Sequence, residues 1–247
     1  MKKPQHCVVF DLDGTLTRKR PKGAPLFNIV DDVMPEVAKK AMYAMREKYE
    51  EIEKTRGLTA NDSINWFLEG LVVMSGVGFT VKEAEHAILN SSSADAREGV
   101  KKCFQHLKSL SIPIAVVSFG VAPFIRAFLK RNDLTSLVDR IYGVEFITDH
   151  NDRIVDHHGH TIVHPENKDF WSRQFADEWG IAHDKILAVG DSTGDRRLGH
   201  HKHLRIGVAH DEQEKAHIQP HMGHVVITDD FTPVHNWLLT HINQQEE

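Results

Sequence analysis

The sequence predicts an α/β chain: a parallel sheet covered by helices on both faces, with a block of helices inserted after the first strand. Three observations carry this. From Asp95 onward, short apolar runs alternate with amphipathic helical stretches, the pattern of strands joined by helical crossovers. Residues 18–95 are helical in pattern and contain no strand of their own. The first apolar run, Val8-Val9-Phe10, stops abruptly in Asp11-Leu12-Asp13-Gly14-Thr15, two acids at the start of a glycine turn.

The elements follow in order. Residues 18–26 are basic and carry Pro21, Gly23 and Pro25, a linker leaving the first strand. A long helix is expected from Val33 to Thr55, with Asp32 as N-cap, Pro35 in its first turn and Gly57 as its stop. A second helix begins near Asn61 and a third spans Thr80 to Leu89, broken by Ser91-Ser92-Ser93. Beyond Asp95 a helix runs to Ser111, a strand from Ile112 to Val117 ends at Ser118, and a helix spans Ala122 to Arg131. A strand at Ile141 to Phe146 leads into a hairpin excursion over residues 147–163. A helix from Glu166 to Trp179 precedes a strand from Ile186 to Val189 that ends in Gly190-Asp191. Short strands at Arg205–Ala209 and Val225–Ile227 and a helix from Phe231 to Ile242 complete the chain, with a frayed end expected from Asn243.

The 247 residues allow one large domain, or one domain with an insert. The net charge of -5, without a long basic block, argues against a nucleic-acid polymer as partner. No stretch approaches 18 apolar residues, so no membrane span is expected. Cys7 and Cys103 fit buried residues of a reduced, cytoplasmic protein rather than a disulfide framework. Oligomeric state is not readable from the sequence.

Ligands of open parallel sheets bind at the carboxyl ends of the strands. Asp11, Ser118 and Asp191 each follow an apolar run and are placed there. Asp11 and Asp13 are two apart on an extended chain, so both can face one pocket while Leu12 turns inward. Thr15 adds hydroxyl and amide donors. Ser118 precedes Phe119-Gly120 and a helix, which puts free amides and a helix N-terminus beside it. Gly190-Asp191-Ser192-Thr193-Gly194-Asp195 suits a hard divalent cation: Asp191 as direct ligand, Asp195 either reaching the ion through water or orienting a lysine. Lys168 lies on the stripe of Trp171, Phe175 and Trp179, where it either meets the strand-end acids or snorkels to solvent. Together these residues describe phosphoryl transfer through an aspartyl phosphate. Asp11 is the nucleophile and Asp13 the proton donor, then acceptor. Mg²⁺ would sit on Asp11, Asp13 and Asp191, with the phosphate oxygens on Thr15, Ser118, Phe119 and Lys168 and with Ser192 and Asp195 in support.

These motifs resemble, in order, those of the haloacid dehalogenase superfamily of phosphohydrolases. The resemblance covers nearly the whole chain. It implies a Rossmann-like catalytic core over residues 1–17 and 96–247 and a C1-type helical cap over 18–95. It implies Mg²⁺ as cofactor and a small phosphate monoester as substrate. The dehalogenase branch lacks the second acid, so Asp13 favours phosphate chemistry. The chain is also similar to the cytosolic pyrimidine 5′-nucleotidases. Phe27-Asn28-Ile29-Val30-Asp31-Asp32, Glu47-Lys48-Tyr49 with Ile52-Glu53, Glu98-Gly99, Asn167-Lys168 and the hairpin over 147–163 carry that likeness. That group places an acid before a Trp-aromatic pair to contact the base. Here Asn65 precedes Trp66-Phe67, and an amide both donates and accepts, which leaves base preference open. Trp66 and Phe67 either stack on a base or pack the cap. The resemblance thus implies a nucleoside 5′-monophosphatase. A phosphoserine-phosphatase-like enzyme and a non-catalytic phosphate binder on the same fold are the alternatives.

The sequence also holds two histidine clusters, His200, His201 and His203, and His157, His158, His160 and His164. Their spacing matches no zinc pattern, and they read as solvated loops. Asp156-His157-His158 resembles the DHH phosphoesterase motif, but without that family's other acidic motifs. Lys19 and Arg20 either draw an anion to the cap or are ordinary loop charges.

Overall fold

The computed structural model describes residues 4–18 and 25–243. Most of the expected linker, Lys19 and Arg20 with it, and the tail from residue 244 lie outside the described residues. In chain order the strands are β1 (Cys7–Phe10), β2 (Ile114–Val121), β3 (Arg140–Val144), β4 (Phe146–Thr148), β5 (Ile154–His157), β6 (Ile186–Gly190), β7 (Arg205–Ala209) and β8 (His224–Ile227). The helices are α1 (Pro25–Val33), α2 (Glu36–Arg56), α3 (Ala60–Gly76), α4 (Val81–Asn90), α5 (Val100–Ser109), α6 (Ala122–Arg131), α7 (Lys168–Trp179), α8 (Glu212–Ile218) and α9 (Thr232–Asn243).

Six strands form one sheet in the order β3-β2-β1-β6-β7-β8, all pairs parallel, and β4 and β5 form a separate antiparallel hairpin. The apolar runs alternate faces as extended chain requires. Val8, Phe10, Ile114, Val116, Leu187 and Val189 join one apolar cluster, with Phe104 and Phe128 from the helices. Cys7, Val9, Ala115, Val117, Ile186 and Ala188 join the other, with Phe175. Because β1 is buried on both faces, its four residues carry no polar group until Asp11 leaves the sheet.

Helices α1 to α4 lie in the chain between β1 and β2. Thr17 and Ala96 form an antiparallel bridge, and the Arg97 N–H donates to Leu16 O at 2.9 Å, so the ends of this segment are pinned together. Its apolar side chains Leu26, Val30, Met42, Phe67 and Ile88 run into the same cluster as Phe10 and Phe104. Thr59 and Thr80 start α3 and α4 with reciprocal capping by Asp62 and Glu83.

Several boundaries differ from the sequence reading. The expected linker turns helical from Pro25, and Asp32 lies inside α1 rather than capping α2. Pro35 is the reason: it lacks the N–H a continuing helix needs, so one long helix becomes two. Asp32 accepts from Lys39 Nζ at 2.6 Å instead. β2 continues past Ser118 to Val121, although its register against β3 shifts between Val117 and Val121. Helix α8 was not read from the sequence; it is seven residues long and capped by Asp211, too short for a periodic signal. The packed stripe of α7 is Lys168, Ser172, Phe175 and Ala176, and Trp179 is exposed.

The rings of Phe10 and Phe104 lie 4.8 Å apart, both fully buried. Phe104→Ala is expected to cost about 3–5 kcal/mol, read from the denaturant midpoint at unchanged m-value.

Candidate active site

The first-motif turn stands at the carboxyl end of the central strand. Asp11 N–H still donates to Val189 O on β6 at 2.9 Å, so the residue is held at the last rung of the sheet. The chain then turns through Gly14, whose φ is +80°. No side chain fits there, since a Cβ would stand 2.2 Å from Asp191 Oδ2. Gly190 is equally constrained, its Cβ position falling 2.5 Å from the side chain of Asp195. The first turn and the loop after β6 therefore touch directly.

Lys168 ties these loops together. Its Nζ donates to Asp11 Oδ1 and to Asp195 Oδ1, both at 2.6 Å, and the residue is 4% exposed. A buried cation in this position needs those two partners. Burial works against its charge, but Asp11 and Asp195 outweigh that and raise its pKa. Asp195 Oδ2 accepts from the Asp191 N–H at 3.0 Å and from the N–H and Oγ of Ser192, each at 3.1 Å. The sequence left two roles for Asp195; it bonds Lys168 and also stands beside Asp11 and Asp191.

Asp11, Asp191 and Asp195 bring carboxylate oxygens within 4.8 Å of one another, all three buried. Such an all-oxygen, all-acid set fits a hard divalent cation. Among the described residues it is the one group of three metal-type ligands, and the histidine clusters do not assemble into another. Burial, then the neighbouring charges of Asp195 and Asp191, hold the Asp11 carboxyl well above its usual range, and Lys168 offsets only part of this. Asp13 was expected to share the ion, but its carboxylate stands outside the acidic group. Asp11 and Asp13 nevertheless line the same cavity. Asp13 faces Gly120, with Oδ2 3.9 Å from where a Cβ there would lie. Its Oδ1 is buried without a hydrogen-bond partner among the described residues. Burial pushes its pKa up to about 6, against a backbone bond from Leu26 and the charge of Lys168.

The expected phosphate contacts divide. Ser118 and Phe119 line the cavity with Lys168, and Ser118 Oγ accepts from the Gly120 N–H at 3.0 Å. Thr15 does not line it: its hydroxyl donates to Asp191 Oδ1 at 3.4 Å and its N–H to Leu12 O at 3.2 Å. The tight turn draws the Thr15 hydroxyl inward, onto Asp191.

The cavity measures about 780 Å³ and lies between the strand ends and helices α1 to α3. Trp66 lines it, stacked on Tyr49 at 5.4 Å and edge-on to Phe119 at 6.1 Å. Phe67 also lines it but is largely buried against Phe146 and His157. Asn65 is exposed and absent from the lining. The sequence reading missed Arg46, which lines the cavity while donating to Asn28 and to the fully buried Asp31. It also missed His210 and Glu214 on the core side of the cavity. No periodicity or motif marks them; Arg46, one residue before Glu47-Lys48-Tyr49, was the nearest to a signal.

Residues 8–200 match the sequence profile of the haloacid dehalogenase-like hydrolases. The chain belongs to that family. As a haloacid dehalogenase-like hydrolase it is an enzyme, and its first turn, Lys168 and the acidic loop after β6 converge as described above. Solved structures share its fold. Cytosolic 5′-nucleotidase IIIB, bound to cytidine, has a TM-score of 0.76 at 21% identity, covering 98% of this chain and 87% of that one. Phosphoserine phosphatase, as a phospho-aspartyl intermediate analogue, has a TM-score of 0.66 at 16% identity, covering 96% of this chain and all of that one. A family hydrolase from Salmonella enterica serovar Typhi has a TM-score of 0.71 at 15% identity, covering 97% and 71%.

Gly14→Ala is expected to displace the Asp191 carboxylate and weaken Mn²⁺ binding by about tenfold or more, measured calorimetrically on substrate-free protein.

Proposed function

We propose that this hydrolase cleaves phosphate monoesters through an aspartyl phosphate, with a nucleoside 5′-monophosphate as substrate. The observation that carries it is the Asp11–Lys168–Asp195 arrangement at the strand ends, with Asp13 two residues beyond the nucleophile. Residues 1–17 and 96–247 act as the catalytic core in this reading, and 18–95 as the cap.

Asp11 attacks phosphorus in line; the new oxygen–phosphorus bond forms as the ester bond breaks. The leaving oxygen takes the electron pair and the proton of Asp13. Water then attacks the aspartyl phosphate and gives its proton to Asp13, which releases phosphate and regenerates Asp11. Lys168 and Ser118 hold the transferring group's oxygens. Asp11 and Asp191 would hold Mg²⁺, with Asp195 keeping Lys168 in place. Bound there, the ion favours the ionised form of Asp11 and neutralises phosphate charge.

The cavity supports a flat, bulky leaving group over an amino-acid side chain. Its cap side is lined by Met42, Met45, Met74 and the Trp66 ring beside Arg46, Glu50 and Glu53, which gives apolar surface a serine would not use. A small phosphate monoester is the partner, and the two buried, unpaired cysteines support a reducing compartment such as the cytoplasm. Among the described residues no helix is long and apolar enough to cross a membrane.

Wild-type protein is expected to hydrolyse p-nitrophenyl phosphate only with Mg²⁺, and Asp11→Asn to match buffer; equal rates for the two would sink the mechanism. In a panel of UMP, CMP, 7-methyl-GMP, IMP, phosphoserine and sugar phosphates, a nucleotide should show the highest kcat/KM.

The pH dependence has a definite sign. Asp13 must carry a proton in the first step and loses it as pH rises through about 6. For an alkyl phosphate, kcat/KM should fall from pH 6 to pH 8. For p-nitrophenyl phosphate, whose leaving group needs no acid, the profile should be flatter. Asp13→Asn should cost the alkyl ester about 10²–10⁴-fold and the aryl ester much less in the phosphorylation step.

A further inference from the structure

Arg97 lies on the chain just before α5, outside every motif the sequence offers, and is 2% exposed. It does not line the cavity. Its guanidinium donates to three backbone carbonyls from two distant segments: Gly14 O at 2.6 Å, Thr17 O at 3.3 Å and Thr228 O at 2.9 Å. The Arg97 Nη2 also lies 2.9 Å from His210 Nε2. A guanidinium only donates, so that nitrogen of His210 accepts. The His210 proton is then on Nδ1, which faces Asp229 Oδ1 at 3.3 Å. The His210 N–H donates to Glu214 Oε2 at 3.0 Å.

The consequence lies at Gly14. This residue sits so tightly under Asp191 that a single added carbon would overlap the carboxylate. Where Gly14 stands therefore decides where the Asp191 oxygens can go. Gly14 N–H is tied to Thr17 Oγ1 at 2.9 Å, and its carbonyl is held by Arg97. Arg97 also grips the far end of the turn through Thr17 O, and its own N–H holds Leu16 O. Burial lowers the Arg97 pKa, while the charges of Asp191, Asp229 and Glu214 favour the cation.

Building on the cation site proposed above, we propose that Arg97 is a positioning residue that clamps the Asp13-Gly14 turn against Asp191 and so sets the geometry of the cation ligands. It touches neither substrate nor the reacting atoms. Its reach to Thr228 and His210 anchors the turn to the segments after β8 and β7, which a backbone bond alone would not do.

The test is Mn²⁺ affinity of substrate-free protein by calorimetry, beside steady-state kinetics with p-nitrophenyl phosphate. Arg97→Met removes all the side-chain bonds; Arg97→Lys keeps the charge but cannot span the acceptors. Both are expected to bind Mn²⁺ about tenfold or more weakly and to lose kcat more than KM. Should Arg97→Met fail to fold by circular dichroism, Arg97→Lys decides. Arg131→Met is the control for general loosening, since Arg131 makes comparable ties to Leu89 O and Asp95 away from the site. It should lower Tm and leave Mn²⁺ affinity unchanged. Wild-type affinity in a folded Arg97→Lys variant, or equal weakening in Arg131→Met, would overturn the proposal. No Mn²⁺ binding by the wild-type protein would remove the cation reading itself, and this role with it.

Discussion

One buried ammonium group holds this site together. Lys168 reaches Asp11 from one side and Asp195 from the other, each at 2.6 Å, with all three side chains buried. Three charges in such surroundings are tolerable only as a set, because a buried charge without a partner is far costlier than a paired one. The set draws one member from the end of β1, one from the start of α7 and one from the loop after β6. The packing of α7 on the sheet is therefore not separable from the chemistry. Ser172 and Phe175, which bury the same helix face, hold the lysine at its station.

Close approach is the second constraint. Gly14 and Gly190 let two loops pack so tightly that a methyl group at either point would strike a carboxylate. This brings Asp191 over the first turn and leaves Asp195 free to turn toward Lys168. It also explains why Thr15 faces inward: the turn that makes room for Asp191 spends the threonine hydroxyl on it. The same crowding makes the turn dependent on Arg97, whose side chain holds carbonyls at both ends of it.

Above the strand ends, α1 to α3 supply the rest of the cavity. The helices are packed into the same apolar cluster as the sheet, so the aromatic wall is set at a fixed height over the acids. Trp66 is backed by Tyr49 in a parallel stack, while Phe67 is spent mostly on packing. Arg46 and the buried Asp31 form a part-buried ion pair on that side, with Asn28 on the same guanidinium.

The parallel core was legible in the residues because β1, β2 and β6 are apolar runs buried on both faces, and such runs leave their polar residues to the ends. For the same reason Asp11, Ser118 and Asp191 could be placed at one edge before any coordinate was known. Residue type and spacing also decided that two acids, a lysine and an acid-rich loop would be available for one reaction. Orientation was another matter. The direction of Thr15, the partners of Asp195, the separation of Asp13 from the acidic group and the grip of Arg97 all depend on atoms far apart in the chain. So do the break at Pro35 that redirects Asp32, and the exposure of Asn65 beside a cavity that Trp66 lines. Periodicity and motif describe a chain's own neighbours, so they settled which groups are present. Only the packing of distant segments, through close approach and the need to pair buried charge, settled which way each group faces.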